Sequence, residues 1–393
     1  MKLPAELNDL TLDYLYNDRS ALAQCSLVCK DWVTSARYHL WHTTQVYLTS
    51  SKIDSKLHRL IALPHITFHI QHVVITSRSL SGGPRTETDI HLLHRVLSLL
   101  SEYPQIRSLT LKNIAFGTNT CSGPGCSALR LPSIRQLILQ DVAFEALHDV
   151  QWLWCVCPQA DRFQLDKVWW RPWVDGGMDW RVAGETPRLS YKELALGHCF
   201  SRDSVAKWLL GMSPSLNVQT LRLPLVSVHD SFLVDLLRGI GVSLEHLEIG
   251  SLGHVKNSTQ YTSFFDFSAN TELKSISIGL PMYRDSLTVL SWITTILSQI
   301  VSTTVTQITF SILPIHISQN APGLLAAFDW PTLVSVLERP QFVKLSNIVF
   351  RLSGQAEYAK YPHNFTPLGP LLTEMVMGHF DSLRCKGVKV SIA

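Results

Sequence analysis

One short pattern returns along most of the chain and constrains its fold more than any other feature. It is an apolar–x–apolar triplet. Its first residue falls at twelve positions: Val46, Val73, Leu109, Leu137, Phe163, Leu194, Leu221, Leu247, Ile276, Ile308, Ile348 and Val388. The successive steps are 27, 36, 28, 26, 31, 27, 26, 29, 32, 40 and 40 residues, so eight of the eleven lie between 26 and 32. Because alternating apolar residues are typical of half-buried strands, this spacing indicates a strand repeated at nearly constant intervals.

The segments between the triplets are helical where they can be interpreted. The stretch from Asp89 to Pro104 begins with a capping residue, continues with apolar residues at helical spacing and closes on proline. "DSVAKWLLGMSP" and "SFLVDLLRGIG" repeat this scheme. A strand, a turn, a helix and a return follow the plan of leucine-rich repeats, although no Asn or Cys ladder is present. The sequence therefore predicts an α/β fold in which residues 43–393 form an irregular leucine-rich-repeat-like solenoid, with a looser end after about residue 310.

A doubly wound α/β enzyme would also alternate strands and helices. That fold requires a glycine-rich loop between a strand and the following helix, and the sequence contains none of the usual dinucleotide, nucleotide or nucleophile-elbow motifs. The repeat is the better interpretation. An enzyme with His and Cys side chains brought together only by the fold stays open as an alternative.

Composition excludes several classes of function. The net charge is +3 and no run of Lys or Arg is present, so nothing indicates nucleic-acid binding. The eight cysteines match no zinc spacing, and we predict no catalytic residue, cofactor or metal ligand. No stretch of about 18 apolar residues predicts a membrane span. The N-terminus lacks a signal-peptide pattern, so we expect an intracellular protein of the cytoplasm or nucleus, with reduced thiols.

Residues 1–42 lie outside the repeat and predict three short helices. The first carries Leu7, Leu10 and Leu15 as an apolar stripe, and the second begins at a cap, Asp18 or Ser20. The apolar positions of the second and third helices are Leu22, Cys25, Cys29, Trp32, Ala36, Leu40 and Trp41. Three helices of this length cannot build a large core, so this surface needs a partner or the following repeats. Cys25 and Cys29 lack two further ligands nearby, and packing explains them better than metal binding.

The same segment carries a resemblance to a known family. "LPAEL", the pair Tyr14 and Leu15, "CSLVCKDW" and "RYHL" together resemble the F-box motif, most closely that of the F-box proteins abundant in fungi. The match covers about a tenth of the chain. Thr11 departs from the family pattern, which usually has Ile or Leu there. The resemblance implies that residues 1–42 are an F-box and residues 43–393 a separate repeat domain.

The resemblance also implies a function and a set of partners. F-box motifs dock on the Skp1 adaptor of SCF (Skp1–cullin–F-box) ubiquitin ligases, and a repeat domain commonly captures the substrate protein. The chain would then not be an enzyme, since its partners transfer ubiquitin. The residues that match the positions facing Skp1 are Leu3, Pro4, Leu7, Leu15, Leu27, Val28 and Trp32. A Skp1-bound or free interaction scaffold without a role in degradation is the alternative.

A tryptophan-rich segment follows the fifth triplet. Six of the eleven tryptophans fall between Trp152 and Trp180, and "KVWWRPWVDGGMDWRVAG" predicts a loop broken by glycine and proline. Trp and Arg together are typical of interface anchors, so Trp170, Arg171 and Trp173 are candidates for substrate binding. The alternative is that these rings cover a neighbouring repeat, as we expect for Trp152 and Trp154.

Overall fold

The structure is a computed structural model that describes most of the chain in separate stretches. The described residues are 4–16, 18–48, 67–77, 90–116, 129–144, 147–170, 190–197, 202–212, 216–226, 230–252, 265–281, 291–313, 328–352, 370, 373–374 and 376–392. They divide into two compact units, Met1–Gly176 and Gly177–Ala393, which we call unit 1 and unit 2.

Unit 1 begins with three helices and continues with strand–helix repeats. Its helices are α1 (Ala5–Tyr14), α2 (Arg19–Cys25), α3 (Lys30–His42), α4 (Ile90–Leu100) and α5 (Leu147–Val156). Asp18 caps α2 by accepting a hydrogen bond from the Ala21 amide at 2.9 Å. The helix α3 ends at His42, and the first strand begins at the next residue.

The strands of unit 1 form one main parallel ladder and one short parallel pair. The main strands are β1 (Thr43–Leu48), β2 (His72–Ser77), β3 (Ser108–Lys112), β4 (Gln136–Gln140) and β6 (Arg162–Asp166), which pair in chain order. The short pair is β5 (Ala143–Phe144) with β7 (Trp169–Trp170). Alternate residues of each main strand are buried, as a strand with one covered face requires.

A left-handed residue separates the main strands of unit 1 from the residues of the short pair. Asn113, Asp141 and Lys167 directly follow β3, β4 and β6, and their φ angles are 55°, 56° and 52°. This conformation is uncommon for residues with a Cβ, and it turns the chain sharply. The next residue, Ile114, Val142 or Val168, is buried, and the residue after it pairs in parallel with its neighbour in the short pair or beside it.

Unit 2 repeats the parallel arrangement with mostly longer strands. These are β8 (Ser190–Leu196), β9 (Asn217–Val226), β10 (His246–Leu252), β11 (Ser275–Pro281), β12 (Gln307–Leu313), β13 (Asn347–Leu352) and β14 (Lys389–Ile392). They also pair in chain order and in parallel. The helices are α6 (Arg202–Met212), α7 (Phe232–Ile240), α8 (Ser291–Gln299), α9 (Trp330–Leu337) and α10 (Asp381–Cys385). Short 3₁₀ turns occupy Gly241–Ser243, Pro340–Phe342 and Met377–Phe380.

Buried polar side chains fix the returns from helix to strand in unit 2. The Asn270 amide nitrogen donates to the carbonyl oxygens of Leu237 and Gly241, at 3.0 and 2.8 Å, at the end of α7. The Ser302 hydroxyl contacts the carbonyl oxygens of Thr271 and Leu273 at 2.8 and 2.9 Å. These bonds satisfy carbonyl groups that would otherwise be buried without a donor. In this chain, these single buried side chains stand in place of the Asn ladder of more regular repeats.

The predicted fold class is confirmed. The chain is α/β, with three N-terminal helices followed by leucine-rich-repeat-like units of parallel strands and helices. All twelve predicted triplets have residues within strands of the two main ladders.

The first residues of the triplets do not pair with one another at the two ends of the chain. Val46 pairs with Ile75 rather than with Val73, and Ile348 pairs with Val390 rather than with Val388. The reason is that alternation has a period of two residues. It identifies the buried face of a strand but does not decide which of three apolar residues on that face opposes a given neighbour.

Candidate functional site

The three N-terminal helices share a small core of their own. Leu12, Leu22 and Ala36, one from each helix, have no exposed surface. The half-buried residues that pack against them are Leu15, Cys25, Trp32 and Leu40. The predicted stripe of Leu7, Leu10 and Leu15 on α1 is wrong at Leu15, which packs on the core with Leu12, whereas Leu7 and Leu10 are exposed. Leucines at four positions of one short helix leave its inner face undecided in the sequence.

Polar links hold α1 and α2 against α3. The Ser35 hydroxyl donates to the Asp9 carboxylate at 2.6 Å, and His39 Nε2 lies 2.8 Å from the Asp13 carboxylate. At the other end, the Arg19 guanidinium donates to the Leu40 carbonyl oxygen at 3.0 Å. These contacts lie on one side of α1, which leaves its opposite side uncovered by α3.

The outer side of α1 is apolar and exposed. Leu7, Leu10 and Tyr14 lie about 140–200° around the helix from Leu12, at 100° per residue, and form one stripe. Tyr14 is 88% exposed. Thr11, the residue that departs from the F-box pattern, lies beside this stripe, where its hydroxyl donates to the Leu7 carbonyl oxygen at 2.8 Å.

The turn between α2 and α3 exposes two more large apolar side chains. Leu27 is 86% exposed and Val28 is 63% exposed. Their amides donate to the carbonyl oxygens of Gln24 and Cys25, at 2.9 and 3.1 Å. The turn is therefore ordered by its own backbone, and it presents both side chains in a fixed position.

The predicted Skp1-facing residues separate into three groups. Pro4, Leu7, Leu27 and Val28 are exposed, whereas Leu15 and Trp32 are half-buried and pack on the core of the three helices. Leu3 lies outside the described residues. Residues 4–32 thus contain both exposed apolar side chains and half-buried side chains that pack on the core of the three helices.

The tryptophan-rich segment is described only in part. Trp152 and Trp154 are buried, as predicted. Trp169 and Trp170 form β7 and pair with Ala143 and Phe144, so these two residues are strand and not the predicted loop. The register places Trp170 opposite Phe144 in the short pair. The other two candidates, Arg171 and Trp173, lie outside the described residues, and substrate binding by the three stays a prediction.

A histidine cluster that the sequence did not indicate joins α3 to the first strands. The Tyr38 ring lies 4.8 Å from the His42 ring, which lies 4.4 Å from the His72 ring. Burial lowers the pKa of His42, and the nearby His39 lowers it further, against a hydrogen bond with Gln71 that raises it. Burial and the charge of His42 lower the pKa of His72. His39 and His42 lie on the same helix, whereas the pairing of β1 with β2 brings His72 to His42.

Two observations concern metal ligands and the buried thiol among the described residues. They contain no group of three His, Cys, Asp or Glu side chains placed to hold a metal ion. Burial raises the pKa of the Cys157 thiol to about 12, so that thiol stays protonated. Over the same residues, no helix combines the length and the apolar character needed to cross a membrane.

Comparisons with known proteins leave the family of the chain open. No protein-family model matches the sequence, and no curated protein matches it. Among solved structures, the chain is similar to one in the crystal structure of a TLR13–ssRNA13 complex, with a TM-score of 0.35 and 13% sequence identity over 81% of this chain. The match spans 41% of that chain. A similarity this low assigns neither a family nor a ligand.

Proposed function

We propose that the chain is the substrate-recognition subunit of an SCF ubiquitin ligase, in which residues 1–42 dock on Skp1 and the repeats bind the target protein. The observation that carries the proposal is the exposure of large apolar side chains on the three N-terminal helices, namely Leu7, Leu10 and Tyr14 on α1 and Leu27 and Val28 on the turn between α2 and α3. A patch of large apolar side chains on an ordered surface is typical of a protein interface.

The predicted contact residues differ in burial, and this difference supports two roles: contact with the partner and packing on the core of the helices. Leu27 and Val28 are free to enter a partner, because they touch water and stand on a hydrogen-bonded turn. Trp32 and Leu15 instead pack on the core of the helices. Little ordering would therefore be needed on binding, which favours affinity.

The chain would act by proximity and carry out no chemical step. One end is tethered to the ligase while the repeats hold the target, which raises the local concentration of target lysines near the ubiquitin-charged enzyme. The cullin and the ubiquitin-transferring enzymes are partners. The target protein would bind the repeats, and Trp170, Arg171 and Trp173 remain its candidate contacts.

The test is the affinity of the full chain for purified Skp1, measured by titration calorimetry. Val28→Asp places a charge in the interface and should weaken binding by at least about 30-fold, equivalent to about 2 kcal/mol. Val242→Asp is the matched control, since Val242 in unit 2 is 64% exposed and Val28 is 63% exposed. The control should bind as the unmodified chain does.

Two outcomes would contradict parts of the proposal. Unchanged affinity of the Val28→Asp chain for Skp1 would remove the F-box assignment. Tight binding of Skp1 without recruitment of a cullin would favour the scaffold over the ligase subunit. Trp32→Ala is a weaker test, because Trp32 packs on the core and its loss can unfold the helices.

A further inference from the structure

The turns that lead into the main strands of unit 1 expose the same repeat positions each time. Five residues before the first buried apolar residue of β2, β3, β4 and β6 stand Phe68, Pro104, Pro132 and Pro158, and all four are exposed. Two residues before it stand Gln71, Arg107, Arg135 and Asp161. We call Phe68, Pro104, Pro132, Arg107 and Arg135 the turn edge of unit 1.

The backbone fixes the two arginines of the turn edge one strand apart. The Arg107 amide donates to the Gln71 carbonyl oxygen at 2.8 Å, and the Arg107 carbonyl oxygen accepts from the Arg135 amide at 2.7 Å. Neighbouring strands lie about 4.8 Å apart, so the two residues are adjacent along the repeat direction. Their positions are set by the ladder and not by a flexible loop.

Both guanidinium groups keep most of their donors free for a ligand. Arg107 Nη1 lies 3.5 Å from the Ser133 carbonyl oxygen. Arg135 Nη1 lies 3.4 Å from the Gln159 carbonyl oxygen and 3.0 Å from its Oε1. Across the residues that the structure describes, neither arginine forms an ion pair. Since a guanidinium has five donors, each contact orients the group toward the next repeat and leaves further donors available.

The same position in unit 2 is electrically balanced. There Glu245 and Lys274 stand on successive turns, and their side chains pair at 2.8 Å. In unit 1, two like charges, Arg107 and Arg135, stand on successive turns before Asp161 occupies the same position on the next turn, and like charges on neighbouring strands are destabilising. An anionic ligand along the edge would remove this repulsion and turn the arginine pair into a favourable contact.

An exposed aromatic ring lies on the turn before the first arginine. Phe68 is 75% exposed, and its turn is held by the Ile70 amide, which donates to the Thr67 carbonyl oxygen at 3.0 Å. The Gln105 side chain donates to the same oxygen at 3.0 Å and so links this turn to the next one. Exposed aromatic residues beside arginines are the composition of protein interfaces, in which both residue types are enriched.

We propose that the turn edge of unit 1 binds an acidic segment of a protein partner, in which carboxylates are interspersed with apolar residues. The carboxylates pair with Arg107 and Arg135, and the apolar side chains cover Phe68, Pro104 and Pro132. The carboxylates would satisfy the guanidinium donors in the planar geometry that arginine favours. This surface does not include any residue that we assign to Skp1 binding.

The test measures the fluorescence anisotropy of a labelled peptide built from Glu-Leu-Glu-Ser repeats, with the full chain as receptor. Binding should be saturable and should weaken as ionic strength rises toward about 0.15 M, where surface charges are screened beyond about 8 Å. Arg107→Gln together with Arg135→Gln should weaken it at least about tenfold. Arg339→Gln together with Lys344→Gln removes the same charge from exposed positions of unit 2 and should change affinity less than about twofold.

The aromatic contact is tested separately. Phe68→Ser should weaken peptide binding by about tenfold, while Val343→Ser, at the corresponding exposed position of unit 2, should not. Circular dichroism checks the fold of each variant, and Phe68→Ser decides the result if the arginine variant unfolds. Absence of saturable binding, equal losses in the unit 2 controls, or tighter binding of a single-stranded oligonucleotide than of the peptide would overturn the proposal.

Discussion

The two units build the same repeat but end their strands differently. In unit 1, β3, β4 and β6 have five residues each, whereas in unit 2 β8, β10, β11 and β12 have seven and β9 has ten. In both units, two buried residues of each strand lie in register with those of the neighbouring strands. The strand lengths differ because the chain behaves differently just after the second buried residue. Strand length is therefore not set by the period of the repeat.

In unit 1 the chain turns at a left-handed residue and buries a second row of side chains. The stretches "LTLKNIAF" and "LILQDVAF" place Asn113 and Asp141 at the turn and then bury Phe116 and Phe144, whose rings stack at 4.8 Å. The aromatic row covers the end of the repeat. Its cost is a strained backbone conformation at each turn, since residues with a Cβ disfavour it.

In unit 2 the strands continue, and glycine permits them to lie very close together. A Cβ on Gly250 would stand 2.1 Å from the Pro224 carbonyl oxygen, and one on Gly279 would stand 2.7 Å from the Gly250 carbonyl carbon. No residue with a side chain fits there without a backbone shift. Among the described residues of unit 2, left-handed backbone occurs only at Gly241 and Gly387. Unit 1 thus relies on left-handed turns followed by buried aromatic rings, and unit 2 relies on glycines between close strands. Substitutions can therefore test the two features separately.

The largest expected effect is the loss of the aromatic row of unit 1. Phe144 is fully buried, so Phe144→Ala should lower the free energy of unfolding of unit 1 by about 3–5 kcal/mol. Hydrogen exchange followed by mass spectrometry should show lost protection in unit 1 and little change in unit 2. Phe68→Ala makes the same change at an exposed ring and should cost less than about 0.5 kcal/mol. Equal loss of protection in both units would contradict separate roles for the two strand endings.

Crowding the close strands of unit 2 should have the next largest effect. Gly250→Ala forces a Cβ against backbone atoms of Pro224, and it should destabilise unit 2 by about 1–3 kcal/mol. The measurement is urea unfolding, combined with hydrogen exchange to locate the change. Gly378→Ala is the control, because no atom lies within 4 Å of its added Cβ. If the two alanine variants unfold alike, the strands of unit 2 do not depend on glycine.

Relieving the backbone strain of unit 1 should stabilise it slightly. Lys167 has a φ of 52°, which glycine adopts without penalty, so Lys167→Gly should raise stability by about 1 kcal/mol. Lys112→Gly, within β3, should instead lower it by about 0.5–1 kcal/mol. Urea midpoints of the two variants provide the comparison. A loss of stability in both would mean that the left-handed turn is not strained.

The smallest effect concerns pH and is again confined to unit 1. The pKa values of His42 and His72 lie below 6.5 in the folded chain, so folding favours their neutral forms. The stability they contribute is complete above about pH 6.5 and is lost as pH falls through the lower folded-state values. The melting temperature of unit 1 should therefore fall between about pH 7 and pH 5, and His72→Gln should reduce that fall. A pH-independent melt of the unmodified chain would contradict the expectation.

Sequence alone placed the strands and the principal helices because their signals are local. Period-two alternation marked all twelve main strands, and the cap at Asp18 and the closing Gly241 marked helix ends where the structure has them. The resemblance to the F-box motif selected Leu27 and Val28 as contact residues, and both side chains are exposed. The wrong stripe on α1 arose because Leu7, Leu10, Leu12 and Leu15 offer more apolar positions than one face needs.

What the sequence by itself determined is the order, type and buried face of the elements, since each depends on residues close together in the chain. Only the tertiary structure decided which strand residue opposes which, that Leu12 faces inward, and that His42 meets His72. It also decided that Arg107 and Arg135 stand on successive turns, where the repeat aligns them. These features depend on contacts between residues that are separated in the chain, from about ten positions for Leu12 and Leu22 to thirty or so between neighbouring strands, and packing and backbone hydrogen bonds settle their pairing.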